Sequence, residues 1–389
     1  LRIAIITETF LPNVNGVVTT LCRLLEHLQR EGHEALLFAP EGSPTSYAGA
    51  QVVPLAGRPL PMYPELRLTL PQFGFTERLQ QFQPDLIHLA GLTMLGATGR
   101  FLGSRFRVPL VGTYHTDFPA YTSHYGLGFL RDATYSYLRW VHNACALTLC
   151  PSSATLADLR MHGFRRLRLW GRGVDTERFH PQHHRAAFRE LAGIQPHETM
   201  LLYVGRLASE KRVELLADAL DGLSNVRLVL VGDGPARAML EQRLVGKPAF
   251  FAGYLHAQAL AEAYASADMF AFPSDTETFG QVIQEAMASG LPVVAARAGG
   301  AIDLVGDGVT GALFTAGDAY DLRTQVQHLA SDAALRINMG NAGRALAERH
   351  SWNSVMAELT NHYEQVLTRS KNRAIRTKNQ SSARAYLGR

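Results

Sequence analysis

The stretch from Asp268 to Gly300, DMFAFPSDTETFGQVIQEAMASGLPVVAARAGG, holds a strand, a helix and a second strand in direct succession. DMFAFPS is a short apolar run closed by proline and serine, the pattern of a buried strand. Phe279-Gly280 opens a helix, and Gly290 with Pro292 ends it. PVVAARAGG then reads as the next strand. Strand, helix and strand in this order make a right-handed crossover in a parallel sheet. The same scheme extends outward in both directions. TMLLYVGR, VRLVLVGDG and AFFAGY precede it with helices such as KRVELLADALDGL and AQALAEAYASA between them. In the first half RIAIITE, EALLFAP, DLIHLAG, PLVGTYH and ALTLCPS alternate with amphipathic stretches such as VVTTLCRLLEHLQREGH. The pattern predicts an α/β chain of two doubly wound sheets, joined near GRGVDTERFHPQHHR, with ligands bound outside the carboxyl ends of the strands.

Length and composition agree. A chain of 389 residues has room for two ordinary domains, and 47% hydrophobic with 19% charged residues marks it as globular. No apolar run approaches the roughly 18 residues of a membrane span. The three cysteines, Cys22, Cys145 and Cys150, stand in apolar contexts and read as reduced core residues of a cytosolic protein. The charge is uneven. Residues 1–175 carry 16 Lys and Arg against 12 Asp and Glu, residues 176–369 carry 16 against 22, and the last twenty carry six basic residues and no acid. Such a tail suits anionic lipid headgroups or is simply a solvated end. Nucleic acid is disfavoured because no aromatics are interleaved with the charges. Nicotinamide chemistry is disfavoured too, since no G-x-G-x-x-G follows any strand.

The helix opened by Phe279-Gly280 begins at the carboxyl end of a strand and aims free N–H groups into the crevice, which makes an anion site. Glu277 lies just before it and Glu285 inside it. At 1.5 Å per residue they are about 12 Å apart along a helix axis, the span from a sugar to a ribose across a diphosphate. YVGRLASEKRVE places Arg206 at a strand end and Lys211 at the start of the following helix, where an anion would relieve the opposition of a cation to the helix dipole. Gly16 in PNVNGVVTT opens the first helix and lets a backbone approach a phosphate. No D-x-D occurs, so a diphosphate leaving group would be neutralised by Arg206, Lys211 and helix dipoles, with neither metal nor cofactor.

Taken in order, GRLASEK, ETFGQVIQEAMASGLPVVA and GGAIDLVGDGVTG resemble the retaining glycosyltransferases of family four, of the GT-B fold with two Rossmann-like domains facing across a cleft. The opening ETFLPNVNGVVTTLCRLLEHLQREGHEALLFAP is similar to the branch holding bacterial membrane-lipid glycosyltransferases and GDP-mannose-dependent α-mannosyltransferases. The resemblance covers the chain to about residue 369. It implies an N-terminal acceptor domain (1–175), a C-terminal nucleotide-sugar domain (176–369) whose last helices cross back, and a basic, flexible tail (370–389). It also implies that Arg206 and Lys211 grip the donor diphosphate. Glu277 would hold sugar hydroxyls with Thr278, Phe279, Gly280 and Gln281 nearby, Glu285 the ribose, and Gly16 the diphosphate from the other domain. His115 in GTYHTDFPAY would lie near the reacting sugar, with Asp117 a weaker member of the same kind. Many relatives have glycine where this chain has Thr278. No nucleophilic carboxylate is evident, so the resemblance implies front-face attack, with a donor phosphate oxygen taking the acceptor proton.

The acceptor is expected on the first domain. RPLPMYPELRLTLPQFGF reads as a long proline- and aromatic-rich loop, and FPAYTSHYGLGFLRDATYSYLRWVHNACA as a segment turning helical with membrane-interface composition. Arg165, Arg166 and Arg168 add positive charge. The first expectation is therefore a peripheral enzyme of the cytoplasmic membrane face, moving a hexose from a UDP-sugar to a lipid acceptor such as diacylglycerol. The alternative is a GDP-mannose-dependent mannosyltransferase acting on a phosphoinositide or polyprenyl-linked acceptor. A sugar-nucleotide epimerase shares the architecture, but ETFGQVIQEAM argues against it.

Overall fold

The computed structural model describes the chain apart from residues 14, 61–62, 70–73, 91–93, 116–118, 120–127 and 388–389, with backbone alone at 58–60, 63–69, 94 and 373–387. It divides into two compact units, Leu1–Gly171 with Val355–Arg389, and Arg172–Ser354.

The first unit is built on ten strands: β1 Arg2–Thr7, β2 Glu34–Pro40, β3 Ser46–Tyr47, β4 Ala50–Leu55, β5 Gly57–Leu60, β6 Tyr63–Thr69, β7 Leu86–Ala90, β8 Leu110–Thr113, β9 Leu147–Cys150 and β10 Leu167–Leu169. Eight form a sheet in the order β10-β9-β8-β7-β1-β2-β4-β3, parallel except for the β3–β4 pair. β1, β7 and β9 are buried along almost their whole length, which is why they appear in the sequence as continuous apolar runs. The order reverses between β1 and β7. β5 and β6 pair antiparallel as a separate hairpin, so a hairpin stands within what the sequence suggests is one long loop.

The second unit holds β11 Thr199–Val204, β12 Val226–Val231, β13 Ala249–Gly253, β14 Met269–Phe272, β15 Val293–Ala296 and β16 Gly311–Phe314, all parallel, in the order β13-β12-β11-β14-β15-β16. Apolar clusters lie on both faces of this sheet. One includes Met200, Leu202, Tyr264, Phe270 and Ile283, and the other Leu201, Leu216, Leu228, Phe314 and Leu322. The order reverses between β11 and β14, so the crevice outside their carboxyl ends is where such a sheet binds ligand. Both units are therefore α/β, with parallel sheets flanked by helices, as the alternation in the sequence predicts.

The last helix, Trp352–Leu387, carries Val355, Met356, Leu359, Tyr363 and Val366 on one buried stripe. Trp170 Nε1 donates to the Val355 carbonyl at 3.0 Å, and the Tyr363 hydroxyl meets His88 Nδ1 at 2.7 Å. Arg168 donates to Gln365 Oε1 at 3.0 Å, which makes it an anchor for this helix. Arg166 donates to the Asn143 carbonyl. Two of the three arginines that the sequence suggests for a lipid surface are thus engaged inside the unit. The helix continues through the basic stretch to Leu387, where the sequence suggests a separate flexible tail.

Candidate active site

In the second unit, β11 delivers Gly205 and Arg206 to the switch point, and β14 delivers Pro273 through Glu277 beside them. The connection after β11 turns through a three-residue 3₁₀ segment, Ser209–Lys211, then Arg212 at φ +54°, before the Glu214–Ala219 helix. Lys211 therefore belongs to the turn ahead of that helix. The dipole argument made from the sequence does not apply to it, and Glu214 is the acid in the helix's first turn.

Lys211 Nζ forms a direct ion pair with Glu277 Oε2, and both side chains are about three-quarters buried. The two residues expected from the sequence to meet diphosphate and sugar thus hold each other. Arg206 is 60% exposed and pairs only loosely with Glu210, at 4.0 Å. It is free to swing, whereas its own carbonyl is fixed by the Tyr203 hydroxyl at 3.0 Å.

The helix of the opening motif begins at Gln281, two residues later than the sequence suggests, with Gly280 as its N-cap at φ +94°. Glu277 consequently lies in loop backbone, and helical rise does not measure its separation from Glu285. No side chain caps this helix, and Ile283 N–H already donates to the Gly280 carbonyl at 2.9 Å, which leaves the Gln281 and Val282 amides for an anion. The loop carrying Glu277 is clamped from behind by Gly299 and Gly300. Gly300 N–H donates to the Glu277 carbonyl at 2.9 Å. A Cβ on Gly300 would sit 2.4 Å from the Phe279 carbonyl oxygen and 2.5 Å from its Cα, so only glycine fits.

Glu285 accepts from the Tyr264 hydroxyl at 2.9 Å. Burial pushes its carboxyl up to about 7, against the opposing pull of the Tyr264 hydrogen bond and of Arg178. Phe179 meets the Tyr264 ring edge-on at 5.4 Å. Tyr264 escapes a motif reading because it sits in an alanine-rich helix as an ordinary core aromatic. Arg172 is the other residue the motifs miss. It stands in GRGVDTERFHP, which reads as linker, yet its guanidinium lies over the Phe279 ring at 5.8 Å. Gln281 Nε2 donates to the adjacent Gly173 carbonyl at 2.9 Å.

Arg206, Lys211, Glu277, Thr278, Phe279, Gly280, Gln281 and Glu285 all belong to the second unit, while Gly16 and His115 belong to the first. Gly16 is the first residue of its helix, but Asn15 caps it by accepting from Val17 and Val18 N–H, both at 3.0 Å. The Val17 and Val18 amides behind Gly16 are therefore already taken. His115 follows β8 and is 8% exposed. Asp117 lies outside the described residues, as do residues 118 and 120–127 at the start of the segment after it.

Residues 14–178 match the family described as Glycosyltransferase Family 4, and residues 185–346 match Glycosyl transferases group 1. A GDP-mannose-dependent alpha-mannosyltransferase of Mycobacterium tuberculosis is 39% identical over 380 residues, 96% of this chain and 99% of its own. The chain belongs to the family-four glycosyltransferases. This glycosyltransferase is also 36% identical to the sulfoquinovosyl transferase SQD2 of Arabidopsis thaliana, over 90% of its own length and 70% of that protein's. Anabaena Alr3699/HepE, solved in complex with UDP, superposes with a TM-score of 0.77 at 21% identity, covering 94% of this chain and 100% of that one. That likeness shows a shared GT-B fold.

Proposed function

We propose that the enzyme transfers a mannosyl group from GDP-mannose, with retention at the anomeric carbon, to a hydroxyl of an amphipathic acceptor such as a phosphoinositide or a polyprenyl-linked sugar. The observation that carries this is near full-length identity of 39% to a GDP-mannose-dependent enzyme, in a chain where Lys211 of the turn after β11 pairs with Glu277 of the loop after β14. It reverses the order expected from sequence, where a UDP-sugar and diacylglycerol came first.

In this reading Arg206 and Lys211 take the diphosphate, with the open amides of the Gln281 helix beside them. Charge that develops on the leaving group is stabilised by donors already in place. Glu277, released from Lys211, accepts the sugar hydroxyls, and Glu285 the ribose. Thr278 narrows the sugar pocket, and Gly16 and His115 act from the first unit on diphosphate and reacting sugar. The acceptor oxygen forms its bond to the anomeric carbon as the bond to the phosphate oxygen breaks. That phosphate takes the acceptor proton and GDP departs.

A peripheral membrane location is supported by exposed Phe129, at 77%, and by Phe101 and Trp140, with Arg100 stacked over Trp140 at 4.3 Å. Aromatic and basic groups together suit a lipid interface. Among the described residues no helix is long and apolar enough to cross a membrane.

The test is transfer from GDP-mannose, UDP-glucose, UDP-galactose and UDP-glucuronic acid to phosphoinositide, polyprenyl-linked and diacylglycerol acceptors in anionic liposomes. Mannosyl product from GDP-mannose alone is the expected result. A glycolipid formed from a UDP-sugar onto diacylglycerol, with GDP-mannose inert, would overturn the proposal in favour of the first expectation.

A further inference from the structure

Around the carboxyl ends of β11 and β14 stand the cations Arg172, Arg206, Lys211 and Arg212 and the carboxylates Glu210, Glu214, Asp275 and Glu277. Lys211 is held by Glu277 and Arg206 loosely by Glu210. Arg212 reaches Asp275 at 3.3 Å and Glu214 at 3.9 Å. Arg172 alone of the four has neither an ion pair nor a hydrogen bond among the described residues, and its Nε is enclosed without a partner. The inventory balances only if Arg172 is counted. Without it, the three paired cations face four carboxylates, and an incoming diphosphate would meet a net negative site.

We propose that Arg172 is a third cationic contact for the donor diphosphate, beside Arg206 and Lys211; this rests on the nucleotide-sugar reading above. Three observations beyond the charge balance support it. The Phe279 ring lies 5.8 Å from the guanidinium carbon, a cation–ring contact that holds the side chain beside the loop carrying Glu277. The backbone at Arg172 is held in place, since Gln281 grips the Gly173 carbonyl, and a Cβ on Gly173 would come 2.5 Å from Trp352 Cα. Finally, the side chain carries a desolvation penalty that holds its pKa below the usual arginine value, with only the more distant Glu277 opposing that shift. A half-buried cation without a counter-ion is stabilised when an anion arrives. The planar fork of arginine also matches phosphate oxygens in a way the Lys211 ammonium cannot.

The experiment measures binding of GDP, UDP and guanosine by calorimetry to the wild type, R172Q and R172K, with unfolding midpoints recorded without ligand. R172Q is expected to weaken GDP and UDP by about ten- to hundredfold, the effect of losing one contact to a charged group, and to leave guanosine and the midpoint unchanged. R172K should fall between R172Q and the wild type. GDP affinity unchanged in R172Q overturns the assignment. So does an equal loss for guanosine and GDP, which would mark Arg172 as structural support for Phe279. A wild type that binds no nucleoside diphosphate would instead overturn the donor reading itself. Should R172Q fail to fold, phenylglyoxal labelling of wild-type Arg172 decides. Protection by saturating GDP is expected, and labelling indifferent to GDP overturns the proposal.

Discussion

At the scale of single residues, two of the proposed site groups, Lys211 and Glu277, pair with each other. On the roles proposed above the donor divides this ion pair, so the two positions should respond differently to truncation. Lys211→Ala removes a cation aimed at charge that appears as the leaving group departs, and kcat should fall by about 10²–10³-fold. Glu277→Ala should reduce transfer while GDP binding survives or tightens, because Lys211 is released. Stopped-time product assays together with GDP titrations check both, and an equal loss of GDP affinity in Glu277→Ala counts against its assignment to the sugar. Glu285 makes a pH prediction. Its folded pKa is raised from 4.5 to about 7, so its protonation stabilises the protein below pH 4.5, and that contribution is lost as pH rises through 7. Up to about 3 kcal/mol is at stake. In melting curves from pH 5 to 8, Glu285→Gln should gain on the wild type as pH rises, and parallel curves would show an ionised Glu285 throughout.

At the scale of elements, the C-terminal helix is the clearest case of a segment whose role lies in its docking. Tyr363 is fully buried against His88, which in turn contacts Thr113. Tyr363→Phe leaves an enclosed imidazole nitrogen without its partner and should destabilise the chain by about 1–3 kcal/mol, read from denaturant midpoints at unchanged slope. Burial lowers the pKa of His88 to about 3, so stability supplied by its neutral form is present above 6.5 and lost as pH falls toward 3. The helical stripe Val355, Leu359, Tyr363, Val366 is readable from spacing alone. Its partners, Trp170 and His88, stand 185 and 275 positions away, and no local pattern connects them.

For the whole molecule, the uneven charge is the feature the sequence displays most openly and the fold redistributes most. Arg166 and Arg168 turn out to tie the first unit together, while the terminal helix runs on to Leu387 and takes in five of the six basic residues of 370–389. If that stretch and the exposed Phe129 and Trp140 meet anionic lipid, deleting 370–389 should lower liposome binding at low ionic strength. The difference should shrink above about 0.5 M salt, as screening shortens the range of the charges. Co-sedimentation measures this, and equal binding of both forms at low salt would remove the helix end from the interface.

The succession of apolar runs and helices determined two doubly wound sheets from sequence alone, because burial on both faces forces a strand to be apolar along its length. The ordered motifs around Arg206, Lys211, Glu277 and Glu285 likewise carried the resemblance to the family-four glycosyltransferases, which relatives matched along nearly the whole chain bear out. Only the tertiary structure decided that Lys211 is in a turn, that it pairs with Glu277, that Tyr264 holds Glu285, and that Arg172 reaches Phe279 from what read as linker. These pairings join residues 21 to 107 positions apart. They depend on which strand lies beside which and how each loop turns, and that is settled by packing of the assembled sheet.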